Sequence, residues 1–524
     1  MKNILIAIRS IFKKGRHNVM KIVSLGIGLA VGLVLIAKVY FEQSYDDFYP
    51  DRDRVYQVWA KYQQNGGELK DYPQTSGGIA PTMQQQIPEI ETVTRYTSFG
   101  DWTFTMTDTK MKYSGRCIIA DSCFFDILPR PMLIGNAKEV LSTPMYVLIS
   151  SRIAKNIGGD VIGKNFTVDN SPGRTMTIGG VFEEVPENSH SRYDVIVSMA
   201  SAGRFMWEGS PTNMLGNDRY ISYVKLHKGV NPLALEEQVR TFVNSYFPPE
   251  EQQKVGLSID FSFHKLDNLH KELPQVKRMT WILSLLAFAL IFTAVMNVIS
   301  SIVNRSKEVA VHKCYGASEN NIHGMMFGEA LVHIVLSLIL ALLLILAFRG
   351  TVEELLATSL DSLLLSNGSL VLLGICILVF FVSGFMPGSL YARIPVASAF
   401  RNYRENKRIW KKALLLVQFV ATGFLVTMLV FVARQYTFMV NDRPGYAYEN
   451  LAYCGLAGVD STSRAKILDE VMRLPGVAAA TTVYQLPFEH ASGNNILLPG
   501  GTQELFNIAD LYWVGNGYLD MMEI

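Results

Sequence analysis

Five apolar stretches, each about as long as a bilayer is thick, constrain this chain more than any other feature. A membrane-spanning helix needs about 20 mostly apolar residues. Core helices of soluble proteins show a polar stripe along one face, and these stretches lack one. Only 18% of the 524 residues are charged, below the roughly 25% that is usual in soluble domains. The sequence therefore predicts a membrane protein with five transmembrane helices, at 22–41, 279–303, 324–348, 370–391 and 413–433.

The first stretch reads as an uncleaved anchor, because its apolar run is too long for a signal peptide. Its only charge is Lys38, near the far end, where a lysine can extend its ammonium to the membrane interface.

Lysine and arginine indicate the orientation of the helices, because cytoplasmic loops are enriched in both. Residues 1–21 contain basic residues and no acid, and the segments at 304–323 and 392–412 are also basic. The loop at 349–369 has Arg349 against three acidic residues. These segments agree on a cytoplasmic N-terminus, which places 42–278 and 434–524 on the outer side.

The predicted organisation alternates between membrane and aqueous segments. The outer segment at 42–278 is long enough to bury its own core. Alternation at Trp102–Met106 indicates a strand, and 233–246 indicates an amphipathic helix, so an α+β domain is expected. The full order is a cytoplasmic amphipathic segment (1–21), helix (22–41), outer domain (42–278), helix (279–303), cytoplasmic coupling helix and loop (304–323), helix (324–348), outer loop (349–369), helix (370–391), basic cytoplasmic loop (392–412), helix (413–433) and a partial second outer domain (434–524).

An internal repeat relates the two outer segments. Ile87–Thr94 is echoed by Leu474–Thr481 at an offset of 387 residues, and Ser122–Leu128 by Asn516–Met522 at 394. The first and fifth apolar stretches start 391 residues apart. Agreement of three offsets favours duplication of the whole plan. Because the second copy stops inside its outer domain, the sequence is expected to be a fragment or a truncated product.

Enzymatic and cofactor chemistry finds little support. Gly158–Asn165 nearly fits a phosphate-binding loop, but Asn165 replaces the Ser or Thr that binds Mg²⁺, and the segment is predicted to lie outside, where ATP is scarce. A turn is the favoured interpretation. The histidines follow no metal-site spacing, and no nucleophile elbow is present. The net charge of +2 excludes a polybasic nucleic-acid binder. The chain is expected not to be an enzyme and to need no metal or cofactor.

Polar residues within the apolar stretches are candidate functional positions, because polar groups in a membrane are costly and often functional. They could make contacts in a moving helix bundle or face a substrate. The alternative is that each one caps or hydrogen-bonds a neighbouring helix. These residues are Asn297, Glu329, His333 and Gln418.

The most specific feature is the segment between the second and third stretches. A short helix is predicted over 305–315, and it ends at Gly316, which suits a left-handed cap. Ser318 then caps the next helix. One face of the short helix is apolar and the other charged. It can dock a soluble partner at the cytoplasmic surface, or it can lie on lipid without a partner.

This segment resembles the signature of FtsX-like ABC transporter permeases of the MacB type. The resemblance also covers the start of the outer domain, its later motifs, and the fourth and fifth stretches, and so nearly all of the chain. Where the family commonly has Arg, this chain has His312. The matching segments are Arg305–Lys313, Gly316–Ser318, Glu329, Ser44–Asp46, Asp53–Tyr56, Ile162–Lys164, Gly180–Phe182, Pro186–His190, Ser383–Gly384, Pro387, Pro395 and Leu416–Phe419.

The resemblance implies an α-helical transmembrane bundle with a large extracytoplasmic domain of the MacB periplasmic-core type and a partial second one. It implies a permease subunit of the bacterial inner membrane, driven by two copies of a separate cytoplasmic ABC ATPase. A periplasmic adaptor or an outer-membrane component is a further partner that it allows. The ATPase-coupling residues implied are Arg305, Lys307, Glu308, Val309, Val311, His312, Lys313, Gly316, Ala317 and Ser318.

In that mechanism the ATPase moves the membrane helices and through them the outer domain, which acts on a substrate outside the membrane (mechanotransmission). The alternative is a membrane-anchored sensor or structural envelope protein whose outer domain binds a ligand or partner without transport. A surface enzyme would need a catalytic constellation, and the sequence offers none. The identity of the substrate does not follow from the sequence.

Overall fold

The structure is a computed structural model that describes most of the chain. The described residues are 18–64, 67–168, 171–303, 311–364, 368–392, 408–442, 445–456, 459–487, 492–499 and 504–524. The predicted cytoplasmic segment at 1–21 lies mostly outside these ranges, as do most of the basic loop at 392–412 and the start of the coupling segment.

Helices and strands follow in this order along the chain. The helices are α1 (Asn18–Gln43), α2 (Ile79–Gln86), α3 (Phe124–Ile127), α4 (Ala137–Ser142), α5 (Ser151–Ile157), α6 (Ala202–Phe205), α7 (Glu236–Tyr246), α8 (Pro249–Val255), α9 (Pro274–Val303), α10 (Glu319–Ala347), α11 (Arg349–Leu356), α12 (Leu360–Leu364), α13 (Ser369–Ala392), α14 (Arg408–Asn441), α15 (Ser461–Met472) and α16 (Tyr518–Met522). The strands are β1 (Val55–Gln64), β2 (Lys70–Tyr72), β3 (Ile90–Met106), β4 (Lys112–Ala120), β5 (Met132–Ile134), β6 (Tyr146–Ser150), β7 (Asn165–Val168), β8 (Ser171–Phe182), β9 (Val195–Ser198), β10 (Ile221–Leu226), β11 (Leu257–Lys265), β12 (Ser492–Leu497) and β13 (Glu504–Leu511).

Each predicted apolar stretch overlaps a long helix. Described segments of α1, α9, α10 and α14 are long and apolar enough to cross a membrane, whereas the described apolar segment of α13, Ser369–Ser383, is shorter. The helices extend past several predicted ends: α9 begins at Pro274 and α14 continues to Asn441. The chain divides into two compact units, Met1–Thr167 with Arg174–Lys407, and Val168–Gly173 with Arg408–Ile524.

In the first unit, α1 packs against both α9 and α10, and α13 packs against α10. Two glycines of α1 permit close approach to α9. A Cβ atom built on Gly28 would lie 2.7 Å from the Cβ of Ala294, and one on Gly32 would lie 2.5 Å from Cγ1 of Ile291. Small residues at such contacts let helix backbones pack closely where lipid supplies no hydrophobic driving force. The shared core of these helices includes Leu25, Leu29, Ala294, Met326, Ile334 and Val379.

The outer domain of the first unit is built on one mixed sheet with strand order β11-β1-β10-β3-β4-β9-β6-β8-β5. β4 pairs in parallel with β9, and β6 with β8, while β1, β3, β10 and β11 pair antiparallel. The sequence predictions for this region are confirmed: Trp102–Met106 lies in β3, and α7 occupies most of 233–246. The α+β class follows from this arrangement.

Two hydrophobic clusters stabilise the outer domain. In the first, helices α2 and α7 cover the antiparallel strands, with Met83 and Phe242 against Val58 and Val224. The second cluster contains the aromatic side chains of Tyr96, Phe124, Phe182, Tyr193 and Tyr223. It also includes Tyr49 and Leu266, from the segments that follow α1 and precede α9. The core of the outer domain is therefore continuous with the two chain segments that join it to the membrane helices.

Among the described residues, the second unit repeats the element order found at the start of the first, except for strands between the long helix and the short helix that follows it. A long apolar helix (α14), a short helix (α15), an antiparallel strand pair (β12 and β13) and a short helix (α16) follow one another. The register agrees with the predicted offsets. Tyr96 pairs with Ala120 in the first unit, and Val483 bridges to Val514 in the second, which are the positions that offsets of 387 and 394 relate.

The glycine contact of α1 gives a first prediction. Replacing Gly28 by Val should destabilise the chain by about 1–3 kcal/mol, because the side chain must displace the immovable Cβ of Ala294. Gly374→Val is the matched control: Gly374 lies in α13, and a Cβ there meets no described atom within 4 Å. The thermal unfolding midpoint of the purified chain in detergent measures both. Equal midpoints for the two variants would contradict the packing described here.

Candidate functional site

The described end of the predicted coupling segment forms a defined helix terminus. Residues 311–314 are helical, and Gly316 has a φ of +83°. The amide of Ala317 donates to the carbonyl of His312 at 3.1 Å, and that of Gly316 to Lys313 at 3.0 Å. This hydrogen-bond pair is the Schellman pattern that ends a helix with a left-handed glycine. The predicted left-handed cap at Gly316 is therefore confirmed.

Only two residues separate this terminus from the next membrane helix. The hydroxyl of Ser318 accepts a hydrogen bond from the amide of Asn321 at 3.3 Å, so Ser318 caps α10 as predicted. Ala317 packs against the core of the membrane helices. Two residues, Ala317 and Ser318, therefore join Gly316 at the described end of the short helix to α10.

The helix terminus presents an exposed surface. Tyr315 is 89% exposed and Val311 42% exposed, and the two lie one helical turn apart on the same face. His312, Cys314 and Gly316 are also exposed. The other predicted coupling residues, Arg305, Lys307, Glu308 and Val309, lie outside the described residues.

A polar stripe runs along the buried side of α10. Glu329, His333 and Ser337 are each at most 4% exposed and follow one another at four-residue intervals. Nδ1 of His333 lies 2.8 Å from the carbonyl oxygen of Glu329. The hydroxyl of Ser337 donates to the carbonyl oxygen of Ile22 in α1 at 3.1 Å. The stripe thus faces other helices of the bundle rather than lipid.

The remaining predicted polar positions fall on other helices. Asn297 lies in α9 and Gln418 in α14, and their side chains are outside the part of the chain that the structure describes. Ser337, which the sequence analysis did not single out, is the residue that connects α10 to α1. The four-residue spacing from Glu329 and His333 was the available signal.

Lys38 is held by protein partners that the sequence analysis did not predict. Lys38 is 7% exposed. Its Nζ lies 2.7 Å from Oε1 of Glu42, and it donates to the hydroxyl of Thr358 at 2.7 Å. Oε2 of Glu42 lies 2.6 Å from Nε2 of His270. Neighbouring protein rather than water therefore satisfies the lysine. Glu42, His270 and Thr358 were missed by the sequence analysis, and the i,i+4 spacing of Lys38 and Glu42 was the only local signal.

A second carboxylate lies one turn further along the chain from Glu42. Asp46 is fully buried and has a φ of +61°. Its carboxylate lies 2.8 Å from Nδ1 of His190 and accepts a hydrogen bond from the hydroxyl of Ser189 at 3.1 Å. Nε2 of His190 contacts the hydroxyl of Tyr223. Burial raises the pKa of Tyr223 well above its usual value, so this phenol stays protonated.

Two sequence motifs meet at this point. The segments Ser44–Asp46 and Pro186–His190 are more than 130 residues apart in the sequence. The side-chain amide of Asn188 donates a hydrogen bond to the carbonyl oxygen of Ser44 at 2.7 Å. Tyr45 stacks on His270 with ring centroids 3.4 Å apart, and burial raises the pKa of Tyr45 to about 12. The motifs thus form the base of the outer domain, where α1 enters it.

The same base contacts the loop between α10 and α13. The amide of Ser359 donates to Oε2 of Glu187 at 3.0 Å. The loop is ordered by its own contacts, since Glu353 accepts hydrogen bonds from Arg349 and from the backbone amide of Leu360, both at 2.9 Å.

The four residues described above that surround the carboxylate of Glu42 are called the junction network: Lys38, Glu42, His270 and Thr358.

The nearly phosphate-binding segment has an ordinary structural role. A phosphate-binding loop leads into a helix, whose N-terminus binds the anion. Here strand β7 begins at Asn165, and Gly158, Gly159 and Gly163 have positive φ in the turns before it. The segment connects α5 to β7. Among the residues described, no group of three or more His, Cys, Asp or Glu could hold a metal ion.

Comparisons with known proteins place this geometry in a family. The MacB-like periplasmic core domain matches residues 20–242, and the FtsX-like permease C-terminal domain matches 279–396. No curated protein matches. Among solved structures, a crystal structure of a domain of a protein named as a permease, from Porphyromonas gingivalis, is 33% identical. The match covers 41% of this chain and 91% of the chain of that solved domain, with a TM-score of 0.38.

The two family matches follow the structure in order: outer domain with its first helix, then the three helices that pack with it. The fold and the matches define an ABC transporter permease subunit with a large extracytoplasmic domain. The chain belongs to the FtsX/MacB-type ABC permease family. The family and the apolar helices together indicate an inner-membrane protein.

The buried carboxylate at Asp46 generates a second prediction. Asp46→Ala should cost about 3 kcal/mol of stability, because His190 and Ser189 lose a buried charged acceptor. Asp47→Ala is the matched control: its carboxylate is 37% exposed and pairs with Arg52 and Lys271, so its loss should cost less than about 1 kcal/mol. Thermal unfolding of the purified chain measures the difference. A control variant as unstable as Asp46→Ala would contradict it.

Proposed function

We propose that this chain couples ATP hydrolysis by two copies of a separate cytoplasmic ABC ATPase to movement of its outer domain. The movement exports or extracts a substrate at the outer face of the inner membrane, without a wide pore through the bilayer. On the outer side, a periplasmic adaptor or an outer-membrane component is a further partner. No residue of the chain itself hydrolyses ATP in this proposal.

One observation carries the proposal: the short helix has an exposed, well-capped end, and only two residues join this end to a membrane helix. Val311 and Tyr315 offer an apolar and an aromatic side chain on one face, of the kind that anchors protein interfaces. The Schellman cap at Gly316 and the N-cap at Ser318 fix the direction in which α10 leaves. An ATPase that binds this surface differently in its two states can shift the helix bundle between two arrangements.

The path from this surface to the outer side is continuous. α10 has 29 residues, a length of about 43 Å at 1.5 Å per residue. Ser337 connects it to α1 within the bundle, and the loop that follows it reaches Glu187 of the outer domain. These contacts support a route from the described end of the coupling segment to the outer domain.

Docking at the helix end gives a third prediction. Val311→Ser with Tyr315→Ala should lower recovery of the ABC ATPase with the tagged, full-length chain by about tenfold or more, because two interface anchors are lost. Glu308→Gln with Lys313→Gln should also abolish recovery. The ATPase is identified by mass spectrometry from its own Walker A peptide.

Leu355→Ala serves as the control, since this residue is 78% exposed but lies in the loop predicted to face outward. It should leave recovery unchanged. If the double variants recover as much ATPase as the unaltered chain, the docking surface is assigned to the wrong place.

The proposed orientation gives a fourth prediction. Cys314 and Cys454 are both exposed, and they are predicted to lie on opposite sides of the membrane. In variants that keep one cysteine each, a small membrane-impermeant maleimide should label Cys454 in intact cells and Cys314 only after permeabilisation. Labelling of Cys314 in intact cells would place the coupling segment outside and remove the basis of the proposal.

A further inference from the structure

Three chain segments meet at a single side chain where the membrane helices end. Glu42 is in the last turn of α1, His270 lies just before α9, and Thr358 lies in the loop between α10 and α13. One carboxylate oxygen of Glu42 binds Lys38 and the other binds His270. Lys38 extends the network to Thr358. The segment before α9 is thus connected to the carboxylate of Glu42 directly through His270. The α10–α13 loop is connected to it through Lys38.

The junction network is largely buried, and only the His270 side chain, 15% exposed, is partly open to solvent. Glu42 is 5% exposed and Thr358 6% exposed. A buried carboxylate is stable only while its charged partners stay in place, so removing one partner is far more costly than removing both. One oxygen pairs with Lys38 within α1, and the other binds His270 of the segment before α9. Moving that segment away would take a hydrogen-bond partner from a buried carboxylate, and moving the α10–α13 loop away would take the Thr358 hydroxyl from the ammonium of Lys38. Losing a hydrogen-bond partner in a buried site is costly.

The outer domain contacts two of the same segments independently. Asn188 and His190 bind Ser44 and Asp46, just after α1. Glu187, in the same turn, binds the amide of Ser359, next to Thr358. The apolar side chains of Phe41 and Leu363 pack together beside these polar contacts. The base of the outer domain is therefore held to the α1 exit and to the α10–α13 loop at once.

We propose that Glu42 is a positioning residue that holds the outer ends of the membrane helices and the base of the outer domain as one rigid body. Displacement of the helices by the ATPase then moves the outer domain as a whole. Without Glu42 the outer domain is held only by the contacts of Ser44, Asp46 and Ser359, and it follows the helices less closely. This inference rests on the proposed function and specifies which side chain transmits the motion.

The test uses the full-length chain with its ABC ATPase in lipid nanodiscs. Spin labels at Asn320→Cys, exposed in the first turn of α10, and at Lys228→Cys, exposed on the outer domain, report the separation of the two ends, with the native cysteines replaced. A second pair, at Leu355→Cys and Lys228→Cys, reports the rigidity of the junction in the chain alone. Distances are compared without nucleotide and with a trapped ATP analogue.

Glu42→Gln should reduce the nucleotide-dependent shift of the first pair and broaden the distance distribution of the second. ATPase recovery and ATP hydrolysis should stay within about twofold of the unaltered complex, because the docking surface is intact. Glu272→Gln is the matched control: this exposed carboxylate lies two residues after His270 and accepts a hydrogen bond from Asn268. It should preserve both readouts.

Two further variants separate positioning from stability. Lys38→Met with Glu42→Met removes both charges and should regain stability, yet the nucleotide-dependent shift should stay reduced because the hydrogen bonds to His270 and Thr358 are gone. His270→Phe removes one of these hydrogen bonds and keeps the ion pair, and it should also reduce the shift. A double variant with the shift restored, or Glu42→Gln with the shift intact, overturns the inference.

Failure of the proposed function gives a different result. In that case the unaltered chain either recovers no ATPase or shows no shift of the first pair with the ATPase bound. The width of the second pair's distribution still tests the rigid junction, because it is measured in the chain alone. An unbroadened distribution in Glu42→Gln contradicts the junction whatever the ATPase does.

Discussion

The need to pair charges that protein has removed from water organises the boundary between membrane and outer domain. Lys38, Glu42 and Asp46 follow one another at four-residue intervals where α1 leaves the bundle, and all three are buried. Each finds a partner on a distant segment of the chain. Because an unpaired buried charge costs several kcal/mol, this short part of α1 and its exit determines where the α9 approach, the α10–α13 loop and the turn at 186–190 must lie.

Deeper in the bundle the forces are different. There the contacts of α1 depend on small residues and on one inter-helix hydrogen bond, from Ser337 to Ile22. Glycines at 28 and 32 bring α1 close to α9, so dispersion contacts replace the hydrophobic effect that lipid cannot supply. Close-packed helices tend to change between discrete arrangements rather than slide. A bundle of this kind suits a subunit that must occupy two states.

Much of the architecture was predictable from the sequence because lipid imposes simple rules. Apolar length located long helices at each predicted stretch, four of which are long and apolar enough over their described residues to cross a membrane. The alternation at Trp102–Met106 located a strand. Gly316 and Ser318 were predictable because helix ends have local chemistry that a few residues specify. The repeat offsets anticipated even the register of Val483 with Val514.

The junction network was not predictable for the opposite reason. Its members are separated by 228 residues between Glu42 and His270 and by 320 between Lys38 and Thr358. None of them belongs to a motif with a fixed spacing. A lysine at the end of an apolar stretch ordinarily extends to the interface, and only the tertiary structure shows a buried carboxylate one turn away with a second partner. Long-range pairing of charges leaves no periodic signal in one sequence.

The repeat preserves the order of elements but not the chemistry of this junction. α14 corresponds to α1, and no Asp or Glu occurs anywhere between Arg408 and Asn441. No choice of offset can therefore supply α14 with a counterpart of Glu42. The carboxylate that connects the surrounding segments in the first unit is therefore a feature of α1 that α14 does not share.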